Sequence, residues 1–170
     1  MTDSPFGATS PVSPDELFRL LGELRIETHT VAHPPVLTIA ESRAVRGDLP
    51  GAPCKNLLLQ DRRGACFLVV VSEDRTLDLK ALAGRLGTAR LSFASPDTMA
   101  RLLGVGAGTA TPFAAINDHD DAVRIVLEQR LLSEQWLNFH PLVNSMTTAI
   151  APADLLRFLD AVGHPPLLLP

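Results

Sequence analysis

Two strand-like runs, Cys54 to Gln60 and Ala65 to Ser72, are separated only by Asp61-Arg62-Arg63-Gly64, and this spacing is a β-hairpin signature. The apolar stretch inside the second run, Ala65 to Val71, has the length of a buried strand. It falls well short of the roughly 18–20 residues needed to span a bilayer. Helical signals surround the hairpin. Ser13-Pro14-Asp15-Glu16 combines an N-cap serine, a proline at the first helical position and a glutamate at the third. Leu17, Leu20, Leu21 and Leu24 follow at helical spacing, which predicts a helix over 14–24. A short strand over Glu27 to Ala32 should end at His33-Pro34-Pro35, because proline removes ladder donors. Thr38 with Glu41 forms a second capping box, opening a helix that Gly47 should close. Residues 78–86 read as a helix closed by Gly87, and Ser95-Pro96-Asp97 opens another closed by Gly104. Ala114 to Asn117 and Ala122 to Leu127 read as strands around the polar turn Asp118 to Asp121, and Thr147 to Ile150 as a further strand. Pro152 opens a last helix, with Gly163 as its stop. Glu134 to Phe139 fits either state, and the tail HPPLLLP has no assignment. This mixture of hairpins and helices indicates an α/β fold other than a doubly wound parallel sheet.

A chain of 170 residues, 46% hydrophobic and 20% charged, suits one globular domain. We expect a loose lead-in over residues 1–12, rich in Ser, Thr, Pro and Gly, and a single domain over 13–170. The net charge of −4 excludes a strongly basic nucleic-acid surface as a global property, though not a local patch, and DNA is not an expected partner. The first residues show no positive segment followed by an apolar core, so the expectation is a cytoplasmic protein with no membrane association. Cys54 and Cys66 form no Cys-x-x-Cys pair, which argues against a zinc ribbon or redox couple and for buried free thiols. Neither a Gly-x-Ser-x-Gly elbow nor His-Glu-x-x-His is present. The stretch Gly104 to Thr109 matches neither a P-loop nor a dinucleotide fingerprint.

Of 15 basic residues only Lys55 and Lys80 are lysines. Lys55 stands beside Asn56 at the start of an apolar strand. An ammonium held against a core must aim at something specific, as a donor to a phosphate, carbonyl or ribose hydroxyl. An edge-strand lysine with its head in water fits the position equally well. His140 precedes Pro141, which forces it into extended backbone and lets it aim a ring nitrogen, with Asn144 able to add an amide. A histidine satisfied in a turn is the simpler alternative. Gly106 and Gly108 allow close backbone approach to a ligand, or simply make a loop after a helix. Asn117-Asp118-His119-Asp120-Asp121 invites a metal reading, but a turn between strands accounts for it. His33, before two prolines, is placed in a loop that could border a pocket mouth.

In order along the chain come the capped first helix, His33-Pro34-Pro35, the Thr38–Glu41 helix, Cys54-Lys55-Asn56-Leu57, the loop from Gly104 to Thr111-Pro112-Phe113, and Phe139-His140-Pro141-Leu142-Val143-Asn144-Ser145-Met146-Thr147. This order resembles the YbaK/ProX-type aminoacyl-tRNA editing domains over nearly all of residues 14–163. Within them it is most similar to the free-standing alanyl-tRNA(Pro) deacylases related to the insertion domain of bacterial prolyl-tRNA synthetases. The resemblance implies a mixed, curved, barrel-like sheet with flanking helices. It implies a trans-editing hydrolase that cleaves the ester of alanyl-tRNA(Pro) without metal or cofactor. The partners implied are the acceptor end of tRNA(Pro) and, as a candidate, prolyl-tRNA synthetase. Lys55 and His140 carry over as the catalytic pair. Gly106 and Gly108 carry over as the loop glycines, and with them Asn56, Thr109, Asn144 and His33 are assigned to substrate binding, amides of the Gly106–Thr109 loop polarising the ester. Ala107 stands where related loops often have proline. Arg43, Arg46, Arg62 and Arg63 are candidate phosphate contacts, with solvated surface charge the simpler reading. Alternatives are a cysteinyl-tRNA(Pro) deacylase of the same fold, a non-catalytic tRNA-binding module, and a metal hydrolase built on Asp118, His119 and Asp120.

Overall fold

The computed structural model describes residues 10–170. In chain order these form α1 (Pro14–Glu23), β1 (Thr28–Ala32), α2 (Ile39–Val45), β2 (Ala52–Asp61), β3 (Cys66–Ser72), α3 (Leu79–Leu86), β4 (Leu91–Phe93), α4 (Pro96–Leu103), β5 (Val123–Glu128), β6 (Leu137–Phe139), β7 (Met146–Ile150), α5 (Pro152–Ala161) and β8 (Leu167–Leu169). Short 3₁₀ segments lie at Pro112–Asn117 and Gln129–Ser133.

Side-chain caps open α1 to α4, and glycine caps end α3 and α4. Glu16 and Ser13 exchange hydrogen bonds at 2.8 and 3.2 Å at the start of α1. At α2, Glu41 accepts the Leu37 and Thr38 N–H groups at 2.8 and 2.9 Å, and Thr38 Oγ1 accepts the Glu41 N–H at 3.2 Å. Gly87 and Gly104 take the left-handed conformation that ends α3 and α4.

The strands form one mixed sheet in the order β1-β7-β6-β2-β3-β5-β8, with β4 added on β2. The hairpin is its centre, running from Cys54↔Ser72 to Gln60↔Cys66. β3 pairs parallel with β5, and β5 with β8. On one face Leu58, Leu68, Val70 and Ile125 pack with Leu17, Leu21, Leu155 and Phe158 of α1 and α5. On the other, Leu59, Phe67, Val69 and Val71 pack with Leu82 and Ala83 of α3. Burial on both faces explains why β3 carries no polar alternation. The sheet path is open, ending at β1 and β8, so the barrel-like curvature implied by the resemblance does not close. No helix among the described residues is long and apolar enough to cross a membrane.

Several local expectations change. Ala114–Asn117, expected as a strand, belongs to a 3₁₀ segment. Thr111 accepts the Phe113 and Ala114 N–H groups at 3.3 and 3.1 Å, and Pro112 stands at the first helical position. That start signal outweighs the apolar run. β4 has three residues, too few to show a period. Glu134–Phe139 ends in strand β6, and the tail supplies β8. Of the expected lead-in, residues 1–9 lie outside the described residues, while the Val12 N–H is held by Asn117 Oδ1 at 2.9 Å.

One feature of pairing positions the site. The edge of β2 away from β3 meets β6 at Ala52–Pro53 and β4 at Leu59–Asp61. Residues 54–58 between them have no strand neighbour on that side.

Candidate active site

A cleft of about 310 Å³ opens along this bare edge. Asp61 N–H bonds to Ala65 O, and Ala94 N–H to Leu58 O, each at 2.9 Å. Antiparallel ladders alternate, so even-numbered residues of β2, Asn56 among them, turn their backbone N–H and C=O to the open edge. Side chains alternate as well: Cys54, Asn56 and Leu58 project to one face, Lys55 and Leu57 to the other. Because this is an edge, both sets border the same cleft. Val36, Leu37, Thr38 and Ser42 from the α2 region, Phe93 of β4, and Gly108, Ala110 and His140 also line it.

Lys55 is half-buried, and among the described residues no carboxylate or hydrogen-bond acceptor holds its ammonium. Glu73, also on the cleft, is engaged elsewhere, with Arg43 Nε at 2.9 Å and Arg46 Nη1 at 3.6 Å. Two of the arginines considered for phosphate contact therefore brace α2 against β3. Arg62 and Arg63 lie in the turn at the far end of the hairpin. The Cys54 thiol is pushed up to about 12, chiefly by burial, so it is protonated at neutral pH and is no nucleophile.

His140 is aimed by its neighbours. Its Nδ1–H donates to Met146 O at 2.8 Å, which leaves Nε2 with the lone pair. The Leu142 N–H closes a tight turn on His140 O at 3.0 Å, and Leu142 adopts a positive φ of 68° beyond Pro141. Burial lowers the His140 pKa, aided by the charges of His33 and Arg46 and opposed by the Met146 hydrogen bond. The ring is therefore neutral above its ordinary titration range.

Lys55, Asn56, Gly108 and His140 are thus brought together. The other expected residues stand one layer back. Asn144 clamps Val36: its Nδ2–H donates to Val36 O at 2.9 Å, and its C=O accepts the Val36 N–H at 3.2 Å. His33 Nδ1 bonds to Pro34 O and Nε2 to the buried Thr147 hydroxyl, each at 2.8 Å, and its ring faces that of His140 at 6.1 Å. The Thr109 N–H is spent on Gly106 O at 3.2 Å, so this amide is not available to an ester. Gly106 has open space where a Cβ would stand. Gly108 has φ +76°, and a Cβ there would lie 3.4 Å from Leu37 Cα, which makes it the loop glycine the cleft wall requires. Asn56 Oδ1 and Asn138 Oδ1 are buried without a partner among the described residues and border a second cavity of about 30 Å³ behind His140.

Sequence reasoning missed Glu73, Thr147, Asn138 and Phe93. Only Glu73 and Thr147 left a trace, as polar residues at the ends of strands. The acidic cluster is a turn: the Asp118 carboxylate accepts Ala122 and Val123 N–H at 3.0 and 2.8 Å. Asp118 and Asp121 approach His164, whose Nε2–H donates to Asp118 O at 2.8 Å, and this pins the tail. None of the three lines the cleft.

Solved structures share this fold. A hypothetical protein superposes with a TM-score of 0.71 at 18% identity, covering 89% of this chain and 95% of that one. A candidate trans-editing enzyme for prolyl tRNA synthetase superposes at 0.66 with 21% identity, covering 93% and 96%. The chain is 39% identical over 156 residues to prolyl-tRNA synthetase associated domain-containing protein 1 of Danio rerio, covering 91% of this chain and 85% of that one. It is 34% identical over 145 residues to the prolyl-tRNA editing protein ProX of Acetoanaerobium sticklandii, covering 85% and 88%. The family model for the aminoacyl-tRNA editing domain matches residues 33–158, a span that holds every residue of the cleft wall. With its motif order, its open mixed sheet and these likenesses in agreement, the chain belongs to the aminoacyl-tRNA editing domain family, of the YbaK/ProX type.

Proposed function

We propose that this protein is a trans-editing hydrolase that removes alanine from mischarged alanyl-tRNA(Pro). One observation carries the reading: Lys55, a cation with no partner among the described residues, and His140, a neutral imidazole whose Nε2 has none among them either, line one small cleft. An aminoacyl ester is already activated, so positioning and oxyanion stabilisation suffice for its hydrolysis. Lys55 anchors the terminal phosphate or ribose of the acceptor end. Water attacks the ester carbon while its proton passes to His140 Nε2, with the adjacent ribose hydroxyl as relay. The carbonyl electron pair moves onto oxygen, where the main-chain N–H groups of Asn56 and Gly108 serve as donors. Collapse expels the ribose oxygen, which takes up the proton, leaving alanine and free tRNA. Asn144 and His33 hold the wall and the imidazole in place.

Alanine offers nothing to grip, so selection against proline is steric: a well-packed wall rejects the larger side chain by overpacking. The name of the ProX relative supports tRNA(Pro) as the carrier, with prolyl-tRNA synthetase a candidate partner in the cytoplasm. The test is deacylation of alanyl-, cysteinyl- and prolyl-tRNA(Pro) by the wild type. Rapid loss of alanine alone is expected. Preference for the cysteinyl ester would reassign the substrate, and binding without turnover would make the protein a non-catalytic tRNA-binding module.

A further inference from the structure

We propose that Phe93 is the stacking platform for the terminal nucleobase of the bound tRNA. This rests on the reading of the cleft as an aminoacyl-tRNA site. Among the described phenylalanines, Phe67, Phe113, Phe139 and Phe158 are buried and Phe18 is half-buried, whereas Phe93 is 66% exposed. A single exposed apolar side chain needs no explanation. Here, however, the two most exposed large apolar residues among those described, Leu37 at 70% and Phe93, both line the same cleft. Phe93 ends β4, and Leu37 lies in the loop just before α2.

Register places Phe93 more closely. It pairs directly with Leu59, and the Ala94 N–H closes the pairing on Leu58 O at 2.9 Å. Its ring therefore projects on the face of β2 that carries Leu59, Leu57 and Lys55. Lys55 lies four residues along that strand, roughly 13 Å from Leu59 at the usual rise. A cation and an exposed aromatic ring on one face, bridged by the apolar Leu57, match the two halves of a nucleotide. The phosphate or ribose goes to the ammonium and the base to the ring. Stacking tolerates any base because every base has a π-face. Phe93 therefore adds affinity for the acceptor end without reading tRNA identity, and it belongs to positioning, not to the chemical step.

The test compares Phe93→Ala, Phe93→Leu and Phe93→Trp in the full chain. Loss of stacking in Phe93→Ala should raise KM for alanyl-tRNA(Pro) about 5- to 150-fold, with kcat unchanged. Phe93→Leu, which keeps apolar area without a π-face, should resemble Phe93→Ala, and Phe93→Trp should restore KM. Thermal melts should coincide because the ring is exposed. Adenosine monophosphate should quench the fluorescence of Phe93→Trp above the contribution of Trp136. That binding readout stands even if the wild type deacylates nothing, an outcome that would refute the editing reading and leave the platform intact. Unchanged KM in Phe93→Ala with an active wild type, full rescue by leucine, a loss confined to kcat, or no quenching by the nucleotide would each overturn the proposal.

Discussion

Replacing Lys55 by alanine separates recognition from folding. No acceptor among the described residues holds the ammonium, so its removal orphans no buried partner. The fold should lose no more than about 0.5 kcal/mol, the usual range for such positions. For a chain of this length that is roughly 2 °C or less in Tm. If the ammonium meets a phosphate or ribose oxygen, the loss is one hydrogen bond to a charged group, about 1.5–3 kcal/mol. In rate this is about 10- to 150-fold in kcat/KM. Part of the effect is Coulombic, so added salt should slow the wild type more than the variant. Lys55→Met, which keeps most of the stem, should match alanine if the charge matters and the wild type if packing does. The assay is single-turnover deacylation of alanyl-tRNA(Pro), paired with thermal melts of each variant. A kcat/KM within twofold of wild type would refute the assignment. So would a fall in Tm beyond about 4 °C, which exceeds 1 kcal/mol and would mark Lys55 as a structural edge charge.

Gly108→Ala places a side chain at φ +76° and 3.4 Å from Leu37 Cα, and should cost about 1–2 kcal/mol and slow deacylation. Gly106→Ala meets open space, and the same melts should show it near wild type. Asn144→Ala removes the donor to the buried Val36 carbonyl and should cost about 1–3 kcal/mol in denaturant melts. Burial holds the His140 pKa below its ordinary 6.5. Between that lowered value and 6.5 the unfolded chain binds more protons than the native one, so this contribution to stability is complete above 6.5 and is lost as pH falls through the native value. The kcat/KM profile should likewise be level above 6.5 and fall in acid as Nε2 is protonated. An acid limb that persists in His140→Gln would assign the titration to another group.

Much of this molecule was legible before any coordinate. Ser13 with Glu16, Thr38 with Glu41, and glycines 87 and 104 mark helix ends, because a cap is an interaction among residues within one turn. The hairpin was equally plain, since a short turn leaves antiparallel pairing as the only option. Ala114–Asn117 is the exception, because the Thr111-Pro112 start signal outweighs its apolar run. The candidate site residues were visible too: Lys55 by its rarity, His140 by the proline that follows it. Their meeting place was not. The cleft exists because β6 leaves the edge of β2 at Pro53 and β4 joins it only at Leu59. Those limits are set by segments about thirty and eighty residues away in the chain, through packing that no local period encodes. The same long-range packing put hydrogen bonds of His33 on Thr147 and of Asn144 on Val36, and left Phe93 exposed on the face of β2 that carries Lys55.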